Sequence, residues 1–297
     1  MTFRPKGIVP AMVTPFDKDG KVNLSAMRKL TNYLVDAGVH GLFAVGGQGE
    51  FWALDAEEKK AIIETVVDEA CGRVPVYAGT GATTTAEAIR LTNIAETAGA
   101  DAVSVITPYY VSPNQDELLA HYTAIAKSTK LPVVLYNNPD RAGVNISPGM
   151  IEKAAKVENI VGVKDSGGDM TQAGEYIRRT PSDFSVLMGR DTLIFGGLCV
   201  GAKGSITATA NVAPKLVVEI YEAYIAGDMV RAQKCQDQLA PLRIAFGLGT
   251  FPVVVKEALE LIGIEAGPAR LPVGPMKPEK REELFKVLIG MGLPAKM

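Results

Sequence analysis

Eight short apolar segments recur along the first 210 residues of the 297-residue chain, and this repetition is the strongest constraint on its fold. Most are apolar almost throughout, which is typical of parallel strands covered on both faces. Helical patterns separate them, and Thr84 with Glu87 predicts a capping box at the start of one helix. The segments are GIVPAMVTP (7–15), GLFAVG (41–46), PVYAGT (75–80), AVSVITPYY (102–110), PVVLYNNP (132–139), IVGVKDS (160–166), FSVLMGR (184–190) and GSITATA (204–210).

Eight alternations of strand and helix predict an α/β fold, a (β/α)8 or TIM barrel, as the catalytic domain over residues 1–225. A doubly wound sheet is the alternative. Such a sheet usually carries a glycine-rich nucleotide loop, and the sequence contains neither a GxGxxG nor a Walker motif. Residues 226–297 continue with helical patterns such as FPVVVKEALELIG, which exceed one closing helix. They predict a C-terminal helical region.

Charge and cysteine content narrow the function classes. The 31 basic and 33 acidic residues are well mixed and give a net charge of −2. Neither a nucleic-acid nor a membrane partner is therefore expected. Cys71, Cys199 and Cys235 form no CxxC pair and the N-terminus has no signal-peptide pattern, so the chain is expected in the cytoplasm. Two histidines are too few for most zinc or histidine-based triad sites.

One strand end carries a lysine, and strand ends are where such barrels place their catalytic groups. Lys164 follows the apolar run IVGV (160–163). A lysine amine shielded from water attacks carbonyl groups as a neutral nucleophile, and the resulting iminium stabilises an adjacent carbanion. Tyr136, at the end of the preceding strand, is the candidate proton-transferring phenol. The alternative is a lysine that ends its strand in water or pairs with Asp165.

Eight motifs follow one another along most of the chain. They are VTPF (13–16), GGQGEFWAL (46–54), AGTGATTTAEAI (78–89), ITPYY (106–110), YNNPDRAG (136–143), GVKDSGG (162–168), MGRD (188–191) and GSITATANVAP (204–214). In this order and spacing they resemble the dihydrodipicolinate synthase and N-acetylneuraminate lyase family. The resemblance implies a barrel that needs no metal or cofactor, acts on a small 2-keto acid and an aldehyde, and assembles as a homotetramer of two tight dimers.

The resemblance also implies a catalytic set of three residues. Lys164 is similar to the Schiff-base lysine that binds pyruvate or another 2-keto acid. Tyr136 is similar to the proton-transferring phenol beside that lysine. Tyr110 is similar to a tyrosine that reaches into the neighbouring subunit's site across the tight dimer.

A substrate-binding set is implied in the same way. Gly47 and Gln48 match the loop that holds the keto-acid carboxylate, where backbone N–H groups can bind an anion. Gly189 and Ile206 match positions that line the pocket. Arg141 matches an arginine that meets the carboxylate of the second substrate, a task that suits a guanidinium. The alternative for Arg141 is a solvated loop residue.

The loop GGQGE (46–50) departs from the family pattern. Dihydrodipicolinate synthases carry Gly-Thr-Thr-Gly-Glu there, and the lyases carry a close Ser/Thr variant. Gly47 lacks the hydroxyl that bridges two tyrosines in the family's proton relay, so water must fill the gap or the chemistry differs. Gln48 replaces a hydroxyl that helps to hold the carboxylate, although its amide can still donate. The GGxGEF form is closer to members that handle sugar-derived 2-keto acids.

The sequence therefore predicts a Schiff-base lyase or synthase of the class I aldolase type. The favoured reaction is the condensation of pyruvate with aspartate semialdehyde by a dihydrodipicolinate synthase-type enzyme. One alternative is an aldolase or dehydratase of a 2-keto-3-deoxy sugar acid. The other is a non-catalytic protein that binds keto acids and has lost the relay at Gly47.

Overall fold

Eight parallel strands form an almost closed barrel in the computed structural model, which describes residues 3–297. The strands are β1 Gly7–Pro10, β2 Leu42–Ala44, β3 Val76–Gly79, β4 Ala102–Ile106, β5 Val133–Asn137, β6 Ile160–Asp165, β7 Ser185–Met188 and β8 Gly204–Thr207. Around the sheet they follow the order β1-β8-β7-β6-β5-β4-β3-β2. An isolated parallel bridge between Ala11 and Phe43 joins the β1 edge to β2. The predicted (β/α)8 barrel is confirmed.

Helices alternate with the strands and cover the outside of the barrel. They are α1 Leu24–Asp36, α2 Ala56–Ala70, α3 Thr85–Thr97, α4 Gln115–Lys127, α5 Pro139–Ala142, α6 Pro148–Ala154, α7 Met170–Arg179, α8 Ile194–Cys199, α9 Pro214–Ile225, α10 Met229–Ala245, α11 Val253–Leu261 and α12 Pro278–Gly290. Asp55 and Glu58 form a complete capping box at α2. The box predicted at Thr84 is only half formed, because the Glu87 carboxylate binds Arg90 instead of the Thr84 N–H.

Two predictions about organisation are not tested by this architecture. The division into residues 1–225 and 226–297 falls in the turn between α9 and α10, and it stays a prediction. Within residues 3–297, no helix is both long enough and apolar enough to cross a membrane. The cytoplasmic location also stays a prediction.

The strand register decides which side chains meet at the C-terminal end of the barrel. Tyr136 on β5 lies opposite Lys164 on β6 and opposite Ile106 on β4. Apolar side chains of the strands, Val9, Val134 and Leu187 among them, form a separate buried cluster. Because this apolar cluster fills the inside of the barrel, the polar groups at the strand ends face a cavity only at the C-terminal end.

The segment that follows α10 returns to that same end of the barrel. Phe251, Pro272 and Val273 line the cavity together with residues from the strand ends. Lys256 on α11 contacts Glu50 in the loop after β2. The C-terminal helices therefore help to build the site as well as to cover the barrel.

Candidate active site

A cavity of about 680 Å³ opens at the C-terminal ends of the strands. Its volume is in the usual range of small-molecule sites. Seven of the eight predicted site residues line it, and Tyr110 does not. The seven are Gly47, Gln48, Tyr136, Arg141, Lys164, Gly189 and Ile206. The structure thus brings these residues together, while their individual roles stay predictions.

Lys164 lies deep in this cavity and does not pair with its neighbour in the sequence. Its side chain is buried, and its Nζ lies 4.1 Å from the ring centroid of Tyr136 and 5.3 Å from that of Phe43. Asp165 makes other contacts, since its Oδ1 accepts hydrogen bonds from Asn137 Nδ2 and the Gly167 N–H. No ion pair joins Lys164 to Asp165 in the described chain, so neither a solvated lysine nor this pairing fits the structure.

Tyr136 is a buried phenol in an unusual electrostatic environment. Burial alone raises the pKa of a tyrosine, but the charge of Lys164 and hydrogen bonding from Ser166, Asn138 and Lys164 oppose this effect. The net result is a pKa of Tyr136 below its ordinary value. Asn138 Nδ2 donates to the phenol oxygen at 2.8 Å. These contacts stabilise the phenolate, which is the form that accepts a proton.

The loop 46–50 presents an unpaired amide to the cavity. Gln48 is 3% exposed, and neither its Nε2 nor its Oε1 has a hydrogen-bond partner within residues 3–297. Leaving such groups unpaired costs about 1–3 kcal/mol each. A bound ligand that donates to Oε1 and accepts from Nε2 removes this penalty.

Glu50 anchors this loop to the C-terminal helices. It has a left-handed backbone conformation with a φ of 57°, and its carboxylate is fully buried. Lys256 Nζ donates to Oε1 at 2.8 Å, and the Arg270 N–H donates to Oε2 at 2.9 Å. Both carboxylate oxygens are thus occupied by groups from the C-terminal region, which ties the loop that carries Gln48 to that region.

Arg141 packs against an aromatic ring that comes from far along the chain. Its guanidinium carbon lies 4.6 Å from the ring centroid of Phe251. The same ring is the nearest neighbour of Gly47, where an added Cβ would lie 3.8 Å from Phe251 Cζ. Phe251 therefore lies against the guanidinium and close to the glycine loop.

Tyr110 points away from the cavity of its own chain. Its side chain is 98% exposed, and its φ of 74° is unusual for a residue other than glycine. The neighbouring Tyr109 lines the cavity instead. This placement leaves Tyr110 free to contact another molecule.

The predicted site set did not include Ser166 and Phe251, which both line the cavity. Strand alternation offered a signal for Ser166, because it comes two residues after Lys164. Phe251 offered none, because it belongs to the C-terminal region and no local pattern places that region over the strand ends.

A lysine and a phenol on adjacent strands, at the C-terminal end of a (β/α)8 barrel, define the class of lysine-dependent aldolase-type enzymes. Comparison with known proteins is more specific. The chain belongs to the dihydrodipicolinate synthetase family, whose sequence model matches residues 4–290.

Individual relatives are similar over almost their full length. A 4-hydroxy-tetrahydrodipicolinate synthase of Methanoculleus marisnigri is 43% identical, covering 97% of this chain and 99% of the relative. The crystal structure of dihydrodipicolinate synthase from Aquifex aeolicus has a TM-score of 0.95 at 37% identity, covering 98% and 100% of the two chains. A chloride-inhibited dihydrodipicolinate synthase from Acinetobacter baumannii, complexed with pyruvate, has a TM-score of 0.94 at 37% identity, covering 97% and 99%.

Proposed function

We propose that this enzyme condenses pyruvate with aspartate semialdehyde through a Schiff base on Lys164, as a 4-hydroxy-tetrahydrodipicolinate synthase. The observation that carries the proposal is the contact between Lys164 and Tyr136, deep in a cavity at the strand ends. The names of the relatives support the choice of substrates.

The first chemical step joins Lys164 to the keto acid. The amine nitrogen attacks C2, a C–N bond forms, and the carbonyl electrons move to oxygen. One proton passes from the nitrogen to that oxygen and Tyr136 supplies a second, so the oxygen leaves as water when the iminium forms. The iminium then accepts the electrons of a C3–H bond, and the resulting enamine attacks the aldehyde carbon. The proton lost from C3 is balanced by the proton that the aldehyde oxygen takes up.

The loop at Gly47 and Gln48 is proposed to hold the carboxylate of the keto acid. Gln48 supplies a buried donor that has no partner within the described residues. A charge-assisted hydrogen bond to a carboxylate is stronger than a neutral one. The contacts of the buried Glu50 carboxylate with Lys256 and Arg270 are proposed to keep this loop facing the cavity.

Reduction with borohydride in the presence of pyruvate tests the shared chemistry. We expect a pyruvate-derived mass increase on the peptide that contains Lys164. Lys256 is an internal control, because burial lowers its pKa to about 8 although Glu50 opposes the shift, yet it does not line the cavity. Labelling of Lys256 in place of Lys164, or no labelling, would contradict the proposal.

A second candidate is an aldolase or dehydratase of a 2-keto-3-deoxy sugar acid. It is favoured by the unpaired Oε1 of Gln48, because an acceptor oxygen calls for a substrate hydroxyl and a carboxylate cannot donate to it. The kcat/KM for pyruvate with aspartate semialdehyde, measured against a panel of such acids, separates the two. A preference for the sugar acids would leave the proposed Schiff base on Lys164 unchanged. It would identify a sugar acid as the substrate in place of pyruvate with aspartate semialdehyde.

Arg141 is proposed to hold the carboxylate of the second substrate. Replacing Arg141 with lysine keeps the charge but removes bidentate pairing and the planar contact with Phe251. We expect kcat/KM for aspartate semialdehyde to fall about 10–100-fold, the scale of one hydrogen bond to a charged group. Labelling by pyruvate should be unchanged. Arg178→Lys, on the outside of α7, is the control, and equal effects of both substitutions would contradict the role.

We propose a homotetramer built from two tight dimers, in which Tyr110 completes the partner's site. Mixing Tyr110→Phe and Lys164→Arg variants tests this arrangement, because a hybrid dimer then contains one intact site. A twofold dimer formed at random from equal amounts should recover about a quarter of the wild-type activity. No recovery, with hybrid dimers shown by native mass spectrometry, would contradict the proposal.

A further inference from the structure

Tyr136 needs a route by which protons reach and leave its buried oxygen. The phenol donates a proton in one half of the Schiff-base step and accepts one in the other. Asn138 Nδ2 donates a hydrogen bond to this oxygen at 2.8 Å, but a side-chain amide neither gives up nor takes up a proton near neutral pH. Gly47, which lines the cavity beside Tyr136, has no side chain to offer.

Ser166 brings a hydroxyl into the same cavity, and two contacts hold its backbone in place. Its backbone N–H donates to Asn137 O at 2.8 Å, and its carbonyl accepts from Arg190 Nε at 3.0 Å. Its side chain lines the same cavity as Tyr136 and Lys164. A hydroxyl both donates and accepts, so it can pass a proton between the phenol oxygen and the cavity.

Gly189 leaves the space that this hydroxyl occupies. A Cβ added at residue 189 would lie 2.0 Å from Ser166 Oγ and 3.0 Å from Asp165 O. No side chain fits at such a separation, so glycine is required while the serine hydroxyl keeps its position. The predicted pocket-lining role of Gly189 thereby gains a physical reason.

We propose that Ser166 relays protons between Tyr136 and the cavity, in place of the hydroxyl that Gly47 lacks. The inference rests on the proposed Schiff-base chemistry. During iminium formation the C2–O bond breaks with its electron pair on oxygen, which becomes water by taking one proton from the attacking nitrogen and a second from Tyr136. Ser166 then returns a proton to the phenolate and takes one from the cavity. That proton originates from the Lys164 ammonium, so no external reactant is consumed.

Replacing Ser166 with alanine tests the relay. We expect the rate of borohydride-trapped adduct formation to fall about 10–100-fold, within the range of general acid–base effects. The KM for pyruvate should change less than kcat, because the carboxylate contacts are retained. The ionisation of Tyr136 in the pH–rate profile should move to higher pH, since one group that stabilises the phenolate is lost.

Ser104→Ala is the matched control. Ser104 is also buried beside Tyr136, where both line a smaller cavity, but its hydroxyl has no partner among the described residues. If Ser104→Ala slows trapping and Ser166→Ala does not, the assigned relay is wrong.

Rescue distinguishes a relay from a structural role. Gly47→Ser supplies a hydroxyl from the opposite wall, and the site has room because the nearest atom to an added Cβ lies 3.8 Å away. We expect it to recover most of the trapping rate in the Ser166→Ala background. A wild-type rate in Ser166→Ala, or failure of the rescue in a folded double variant, would overturn the relay alone. Absence of trapping in the wild-type enzyme would overturn the proposed function and the relay with it.

Discussion

Replacing Lys164 with methionine is expected to abolish pyruvate trapping and to lower kcat by about 10⁴-fold or more, the scale that follows loss of a catalytic nucleophile. Methionine retains the length and apolar body of the side chain, so packing against Tyr136 and Phe43 is largely preserved. The variant should unfold at the same temperature as the wild type or higher, because a buried cation has been removed. Thermal denaturation and a trapping assay on the same sample check both statements.

Lys164→Arg separates the nucleophile from the charge. A guanidinium keeps a cation beside Tyr136, but it stays protonated and does not attack a carbonyl. Both variants should therefore fail to trap pyruvate. Only the methionine variant should raise the pKa of Tyr136, because the charge of Lys164 is a main cause that lowers it. A pyruvate adduct on another lysine of either variant would show that the nucleophile was assigned wrongly.

The pairing of Lys164 with Tyr136 was predictable because it depends on strand order alone. In a parallel barrel, the ends of consecutive strands are neighbours, and the register places these two residues opposite each other. Gly189 and Ile206, which the resemblance implied as pocket-lining residues, also line the cavity.

Contacts that depend on competing partners or on distant parts of the chain were not predictable in this way. At Thr84 the sequence carries the same spacing as a capping box, but Arg90 competes successfully for the Glu87 carboxylate. Phe251 and Lys256 reach loop 46–50 from about 200 residues away. No periodicity or motif encodes where a C-terminal helix docks, because that depends on the summed packing of many side chains.

Replacing Lys256 with methionine is expected to lower the free energy of unfolding by about 3–5 kcal/mol, because it leaves a buried carboxylate without its cation. Lys256 is 1% exposed and Glu50 is 0% exposed. Lys256 Nζ also donates to Pro268 O, so the substitution leaves a second acceptor unpaired. Urea denaturation of the wild type and the variant measures the difference.

The surface pair of Lys286 and Glu282 isolates the effect of burial. Its N–O separation is 2.8 Å, the same as that between Lys256 and Glu50, but its lysine side chain is 69% exposed. Lys286→Met should leave the free energy of unfolding nearly unchanged, because water screens an exposed pair. Comparable losses from both substitutions would show that burial is not the cause.

The double variant Glu50→Gln with Lys256→Met tests whether the ion pair positions the loop as well as stabilising it. Removing both charges avoids the unpaired carboxylate, so much of the lost stability should return. The Gln48 amide should stay less well held than in the wild type. A glutamine at residue 50 can still accept a hydrogen bond from the Arg270 N–H, but the contact with a lysine at residue 256 is lost. We therefore expect the KM for pyruvate to remain raised in a variant that unfolds nearly like the wild type. A wild-type KM in that variant would limit the pair of Glu50 and Lys256 to a stabilising role.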